Sequence, residues 1–143
     1  MLFVLTSCSV AVHGWVGLQR GESNSLSAIV QMCEESVDGA TLYASKGGDG
    51  QPVGRAEFDS PITDSGQVVL ASLQQLDTRV TYSLYGWTNS STSAAAGFSF
   101  EREDVAAVSP GKVLAKDLDD PDLALRSFTP GDFSAMVLAH CDD

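Results

Sequence analysis

The sequence predicts an all-β protein: an antiparallel sandwich of about seven short strands, followed by one C-terminal helix. Short segments rich in β-branched and aromatic residues recur along the chain, and clusters of Ser, Thr, Asn, Asp and Gly separate them. One helix-start signal stands near the C-terminus, at Thr129. The chain has 143 residues, which is enough to bury a single core, so we expect one sandwich domain with extensions.

The strands follow from the apolar pattern and the turn residues. Between Val10 and Leu18 apolar residues alternate with a period of two, and this first strand is expected to end at Arg20–Gly21. The Gly-Gly and Asp-Gly pairs of "GGDGQP" supply the positive φ of a tight connection after the third strand. The other six strands are expected at "SLSAIVQMC", "ATLYASK", "GRAEFDS", "GQVVLASL", "RVTYSLYGW" and "AAAGFSFERE".

The sandwich is predicted for residues 9–104, and residues 105–143 are predicted to be a C-terminal extension with a different character. In this extension "AVSPGKVL" predicts an additional edge strand, broken by Pro110–Gly111. "AKDLDDPD" predicts a solvated acidic loop. The extension therefore adds one strand, one loop and the final helix.

The final helix has a defined start and one apolar face. Thr129 is the predicted N-cap, Pro130 occupies the first helical position, and Asp132 places a carboxylate where the helix dipole favours it, whereas Gly131 weakens the helix. Apolar residues at helical spacing predict a face that packs on the sandwich and carries Cys141 with it: Phe133, Met136, Val137 and either His140 or Cys141.

Charge excludes one class of partner. The chain has 19 acidic and 8 basic residues, a formal net charge of -11, which repels phosphate backbones. No apolar run approaches the roughly 20 residues of a membrane-spanning helix. We therefore expect no nucleic-acid partner, a soluble body, and membrane attachment only through the N-terminus.

Residues 1–8 predict the end of a truncated lipoprotein signal. Leu5-Thr6-Ser7-Cys8 matches a lipobox, in which an apolar and two small residues precede the cysteine that receives the lipid. A complete signal has basic residues and a longer apolar segment before this point, so we expect Met1 to be an internal methionine of a longer signal. The prediction is lipidation at Cys8 and a location in the cell envelope, on the outer face of the membrane, or secretion. The alternative is that Leu2–Leu5 form a buried strand and Cys8 is a core thiol.

The other two cysteines predict a disulfide bond. If Cys8 is lipidated, Cys33 and Cys141 remain, and two leftover cysteines are usually joined in an oxidising compartment. The alternative is a pair of buried free thiols in a cytosolic protein. The three cysteines lack the spacing of a zinc site.

The sequence offers no catalytic set, no metal site and no cofactor site. A nucleophile needs a base within reach, and the only histidines are His13 and His140. Neighbouring helix positions do not face each other, so His140 and Cys141 are not a catalytic pair. Asp117 and Asp119 begin an acidic loop that lacks the glycine and glutamate of a calcium-binding loop. We expect a protein that is not an enzyme.

A stretch in the second half of the chain carries a resemblance. "VVLASLQQLDTRVTYSLYGWTNSSTSAAAGFSF" resembles the last three strands of a fibronectin type III or related immunoglobulin-like domain, with Val80 where that family places its corner tyrosine. More broadly, the order of the lipobox cysteine, "TLY", "YGW", "FSF", "SPGKVL" and a final "PGDF" helix resembles small envelope lipoproteins of actinobacteria. The first resemblance implies an immunoglobulin-like sandwich; the second implies an envelope location but no activity.

The predicted function is therefore a non-catalytic binding or scaffold protein of the envelope, with a protein or another envelope component as its partner. Tyr82, Tyr85 and Trp87 lie close together in one strand, and they form the candidate binding surface. The alternative role for these aromatic residues is packing in the core. Two other functions remain open: an accessory surface protein of a larger assembly or a phage-encoded exclusion factor, and a small-ligand-binding protein or enzyme whose site the sequence does not reveal.

Overall fold

A computed structural model describes residues 13–46, 49–89 and 95–141, and Cys8 with the lipobox lies outside this part of the chain. The protein is mostly β, with a short C-terminal helix, as the sequence predicts. The strands are β1 (Gly14–Arg20), β2 (Ser25–Met32), β3 (Val37–Lys46), β4 (Asp49–Ile62), β5 (Ser65–Ser72), β6 (Thr81–Trp87), β7 (Ala95–Glu101), β8 (Val113–Lys116) and β9 (Leu125–Phe128). The helices are α1 (Arg102–Ala106) and α2 (Pro130–Ala139), and a 3₁₀ turn spans Leu73–Gln75.

The nine strands of the described residues form one sheet. Seven of them follow the order β4-β3-β6-β7-β1-β2-β5, while β8 pairs with β1 and with β9. The two edge strands approach each other, because a Cβ atom on Gly54 of β4 would lie only 2.1 Å from the carbonyl oxygen of Leu70 in β5. The sheet is therefore nearly barrel-shaped.

Two features differ from the predicted antiparallel arrangement of about seven strands. First, β1 and β7 are parallel and meet at Trp15 and Ala96, whereas the other pairs of strands are antiparallel. Second, the predicted edge strand β8 lies between β1 and β9, so it is not at an edge. The four-residue strand β9 follows directly on the acidic loop and is too short to show a clear alternation in the sequence.

Helix α1 interrupts the segment "FERE", which the sequence analysis placed in a strand. The Glu101 backbone N–H donates to Asp104 Oδ2 at 2.8 Å, which is one half of a capping box. Glu103 and Asp104 stand in the first turn, where the helix dipole favours carboxylates. These local interactions end β7 at Glu101.

The main core lies inside the sheet and is built by alternation along its strands. In β6, Tyr82, Leu84 and Gly86 are buried, while the residues between them face outwards. Phe98 and Phe100 of β7 are buried beside Tyr82. Burial of one face of β6 holds its register, since a slip of one residue would expose these side chains.

A second, smaller core lies under α2, on the outer side of β2 and β8. The helix begins as predicted, because the Asp132 backbone N–H donates to Oγ1 of the N-cap Thr129 at 3.0 Å and Pro130 follows the cap. The predicted apolar face of the helix is also confirmed. The buried residues of this second core are Ile29, Val113, Ala115, Phe133, Met136 and Val137.

Candidate functional site

The predicted disulfide bond between Cys33 and Cys141 is present. The bond joins the residue that follows β2 to the end of α2, and the two Cα atoms lie 5.4 Å apart. Cys33 also packs against the second core. The bond therefore fastens α2 to the sheet at the end of the helix that is farthest from its N-cap.

The three residues of the predicted binding surface do not lie on one face. Tyr82 is only 2% exposed, stacks on Phe100 with 5.9 Å between ring centroids, and accepts a hydrogen bond of 2.6 Å from the Asp77 backbone N–H through its hydroxyl. Tyr85 and Trp87 point to the opposite side, since residues an odd number of positions apart alternate across a strand. Tyr82 is therefore a core residue and not part of an exposed binding surface.

Tyr85 and Trp87 belong to a cluster on the outer face of strands β4, β3 and β6. We call this cluster the aromatic face; its members are Thr41, Tyr43, Arg55, Tyr85 and Trp87. The rings of Tyr43 and Tyr85 are stacked, with centroids 5.2 Å apart and an interplanar angle of 17°. Tyr85 is 38% exposed.

Trp87 lies across the strand next to its own. It pairs with Gly39 of β3, and a Cβ atom on Gly39 would lie 2.3 Å from Cζ2 of the indole, so the ring occupies the space that a side chain would fill. The indole Nε1–H donates to Thr41 Oγ1 at 3.0 Å. The Arg55 guanidinium carbon lies 4.3 Å from the centroid of the ring, which is a cation–π contact.

The aromatic face encloses a shallow cavity of about 380 Å³. Beside the aromatic rings and Arg55, the hydroxyl and amide side chains of Thr88 and Asn89 line it. Partial burial, followed by the hydrogen bond and the charge of Tyr43, raises the pKa of Tyr85 to about 12. The Tyr85 hydroxyl is therefore a neutral hydrogen-bonding group at neutral pH.

Sequence analysis missed Tyr43 and Arg55, which belong to other strands. The structure pairs Thr41 with Tyr85 on one side and with Arg55 on the other, so these residues form a row across three strands. Tyr43 occurs in the predicted strand "ATLYASK", two positions after Thr41 and thus on the same face. Only the order of the strands brings these residues next to β6.

The histidines and the acidic loop form surface contacts with carboxylates or with Arg126. His13 Nδ1 lies 3.2 Å from Glu34 Oε1, and His140 Nε2 lies 2.7 Å from Asp119 Oδ1. In the acidic loop, Asp117 and Asp120 both contact Arg126. No cluster of histidine, cysteine or carboxylate groups suited to a metal ion occurs within residues 13–46, 49–89 and 95–141.

The arrangement of the aromatic face suits binding. Its rings, its guanidinium group and its neutral hydroxyls can pack against a ligand and hydrogen-bond to it.

None of the helices in the described part of the chain has the length and apolar character of a membrane span. In comparisons with protein-family models, curated proteins and solved structures, no match to this chain was found.

Proposed function

We propose that this chain is an exported, non-catalytic binding module with an immunoglobulin-like fold, and that it recognises its ligand through the aromatic face. The observation that carries the proposal is the grouping of Tyr43, Arg55, Tyr85 and Trp87 on the outside of the sheet. Tyr, Trp and Arg are the residues that most often carry the binding energy of recognition surfaces.

The order of strand pairing supports the immunoglobulin-like part of the proposal. Strand β2 pairs with β1 on one side and with β5 on the other, and β6 pairs with β3 on one side and with β7 on the other. These two groups correspond to the two sheets of an immunoglobulin domain. The single parallel contact between β1 and β7 then links the two groups. Strand β4 adds to the second group beside β3, the position of the additional strand in variable-type domains.

The buried Tyr82 gives a second line of support. In immunoglobulin-like domains a tyrosine near the start of the sixth strand hydrogen-bonds through its hydroxyl to the backbone a few residues upstream. Tyr82 makes this contact with the Asp77 backbone N–H, five residues before it. Tyr82 is thus the better candidate for the corner tyrosine than Val80, the position that the resemblance indicated.

The disulfide bond supports export. Disulfides persist in oxidising compartments and are rare in the cytosol. The lipobox at Leu5-Thr6-Ser7-Cys8 adds the proposal of a lipid anchor at Cys8. Expression with the upstream coding sequence, in bacteria fed labelled fatty acid, tests the anchor: label and detergent partitioning are expected for the wild type and neither for Cys8→Ser. An unlabelled wild-type protein would contradict the anchor.

Binding through the aromatic face is testable because the chain has two tryptophans, Trp87 within the face and Trp15 in β1. In protein labelled with 5-fluorotryptophan, Trp15→Phe and Trp87→Phe assign the two fluorine NMR signals. The labelled protein is then titrated with envelope protein and envelope polysaccharide fractions of the source cells. We expect the Trp87 signal to shift or broaden while the Trp15 signal stays unchanged.

A matched pair of variants makes the experiment specific. Tyr85→Ala removes a ring of the aromatic face and should abolish the response of Trp87. Val69→Ala shortens a 61% exposed side chain on β5, outside the face, and should leave the response intact. If neither fraction affects Trp87, or if both tryptophan signals respond equally, the aromatic face is not the recognition site.

A further inference from the structure

Arg55 lines the cavity and lies over the Trp87 ring, and its guanidinium forms no salt bridge within the part of the chain that the structure describes. A guanidinium group stacked on a ring keeps its five N–H donors in its own plane, where they remain free to bind another group. The salt bridges of the described residues involve His13, Arg126 and His140, but not Arg55. The contact with Trp87 therefore holds a positive charge beside the indole, and no carboxylate of the described residues forms a salt bridge with it.

Arg55 places a positive charge on the surface of an acidic protein. The whole chain carries a formal net charge of -11, which disfavours the approach of an anion. A guanidinium group can bind a carboxylate through two parallel hydrogen bonds while one of its faces packs on an aromatic ring. The ligand that best complements this position has one negative group, because a long polyanion would be repelled by the rest of the surface.

The neighbouring rings define the space beside that negative group. Arg55, Thr41 and Tyr85 are consecutive members of a row across three strands. The Cα atoms of Arg55 and Tyr85 are therefore separated by two strand spacings, about 9.5 Å. The side chain between them, Thr41, is small and only 1% exposed, so it lies beneath the neighbouring side chains, including the Trp87 indole that donates to its hydroxyl. The stacked rings of Tyr43 and Tyr85 form the other wall. The cavity of about 380 Å³ lies between Arg55 and these rings.

The lining of the cavity favours a polar ring over an apolar one. Thr88 and Asn89 line the cavity together with Tyr85, whose hydroxyl is neutral at neutral pH. A pyranose has apolar C–H faces that pack on aromatic rings and hydroxyl groups at its rim. Tyr85 is also the only large apolar side chain of this face that is highly exposed, since Val69, Leu123 and Leu138 are not members of the aromatic face. A protein interface needs a broader apolar centre than this.

We propose that the aromatic face binds an acidic sugar, a pyranose ring with one carboxylate, in which the carboxylate pairs with Arg55 and the ring packs against Tyr43 and Tyr85. This inference rests on the proposed function, because it names the ligand class of the same face. It identifies the ligand as a single acidic sugar unit, either free or within an otherwise neutral glycan.

The test uses the full chain with its disulfide bond intact and the fluorine signals of Trp15 and Trp87. The probes are D-glucuronate and D-galacturonate, with three matched compounds: the methyl ester of glucuronate, acetate and benzoate. The ester keeps the ring without the charge, acetate keeps the charge without the ring, and benzoate offers an aromatic ring with the charge. We expect a saturable shift of Trp87 with at least one uronate and a response at least about tenfold weaker with each matched compound.

Two variants locate the carboxylate. Arg55→Gln removes the proposed partner and should weaken uronate binding at least about tenfold, while binding of the ester stays unchanged. Arg79→Gln removes the same charge from an exposed position in the turn before β6 and should change nothing. Unchanged thermal unfolding of both variants confirms that they are folded.

The outcomes separate this inference from the proposed function. Acetate binding as strong as uronate binding would mean an anion site without sugar recognition. Equally strong binding of benzoate would mean recognition of aromatic acids, and equally strong binding of the ester would mean that Arg55 does not take part. Each of these results overturns the proposal. No response of Trp87 to either uronate also overturns it. In that case a response of Trp87 to an envelope fraction would still support the binding module, with a ligand of another class.

Discussion

Cys33 and Cys141, with Cα atoms 5.4 Å apart, join two parts of the chain that are separated by 108 residues. The bond holds the C-terminal end of α2 against the sheet, while the N-terminal end is held by packing of Phe133 and by the Thr129 cap. The helix therefore depends on one covalent and one apolar attachment. The strands bury the larger core independently of both.

Removing the disulfide should destabilise the protein and loosen α2 first. In the chain-entropy model a loop of this length contributes roughly 4–5 kcal/mol, which is an upper value for the double variant Cys33→Ser/Cys141→Ser. Hydrogen exchange measured by mass spectrometry should show faster exchange in α2 and little change in β6. Cys8→Ser is the control, because it removes a cysteine but no disulfide. Equal acceleration in helix and strands would show that α2 is not a separate unit of stability.

The apolar face of α2 should matter far more than its outer face. Phe133→Ala removes a ring that is 1% exposed, and we expect a loss of about 3 kcal/mol or more in the free energy of unfolding. Leu138→Ala shortens a side chain of the same helix that is 52% exposed, and its effect should stay within about 0.5 kcal/mol. Chemical denaturation measures both. Similar losses for the two variants would contradict the observed orientation of the helix.

The hydroxyl of Tyr82 should stabilise the turn before β6. Tyr82→Phe keeps the ring on Phe100 but leaves the Asp77 N–H without its acceptor, so we expect a loss of about 1 kcal/mol. Tyr85→Phe removes a hydroxyl that contacts Tyr43 on the exposed face, where water can replace the lost partner, and should cost less than about 0.5 kcal/mol. The two variants are compared by denaturation at neutral pH. A larger effect for Tyr85→Phe would argue against a structural role for the Tyr82 hydroxyl.

Tyr85 should make the protein less stable at alkaline pH. Its pKa is raised from 10.0 to about 12 in the folded state, so its contribution to the free energy of unfolding is fully present below pH 10. As the pH rises from there towards 12, the unfolded state loses the proton more readily, and stability falls. Tyr85→Phe should reduce this loss and remove the phenolate absorbance change near pH 12. A Tyr85 transition near pH 10 would contradict the prediction.

Local patterns predicted most of the elements. Thr129, Pro130 and Asp132 are sufficient to place the start of α2, because capping involves neighbours in the sequence. The strands β2, β3, β5 and β6 follow equally from their side chains and bounding turns. α1 was missed because the strand pattern of β7 runs into it and its capping carboxylate, Asp104, was not recognised as a helix signal.

The sequence alone determined the β-rich class and the C-terminal helix, because these depend on local periodicity and local capping. It predicted the pairing of Cys33 with Cys141 only on the condition that Cys8 is lipidated, and the tertiary structure decided this pairing by bringing the two Cα atoms within 5.4 Å. The tertiary structure decided the parallel contact of Trp15 with Ala96 and the neighbours of Tyr85. Alternation within β6 already separates Tyr82 from Tyr85, but which side faces the core depends on burial of the whole sheet. The aromatic face depends on strand order: Arg55 meets Trp87 because β4 and β6 both pair with β3, and no local pattern in the sequence encodes that adjacency.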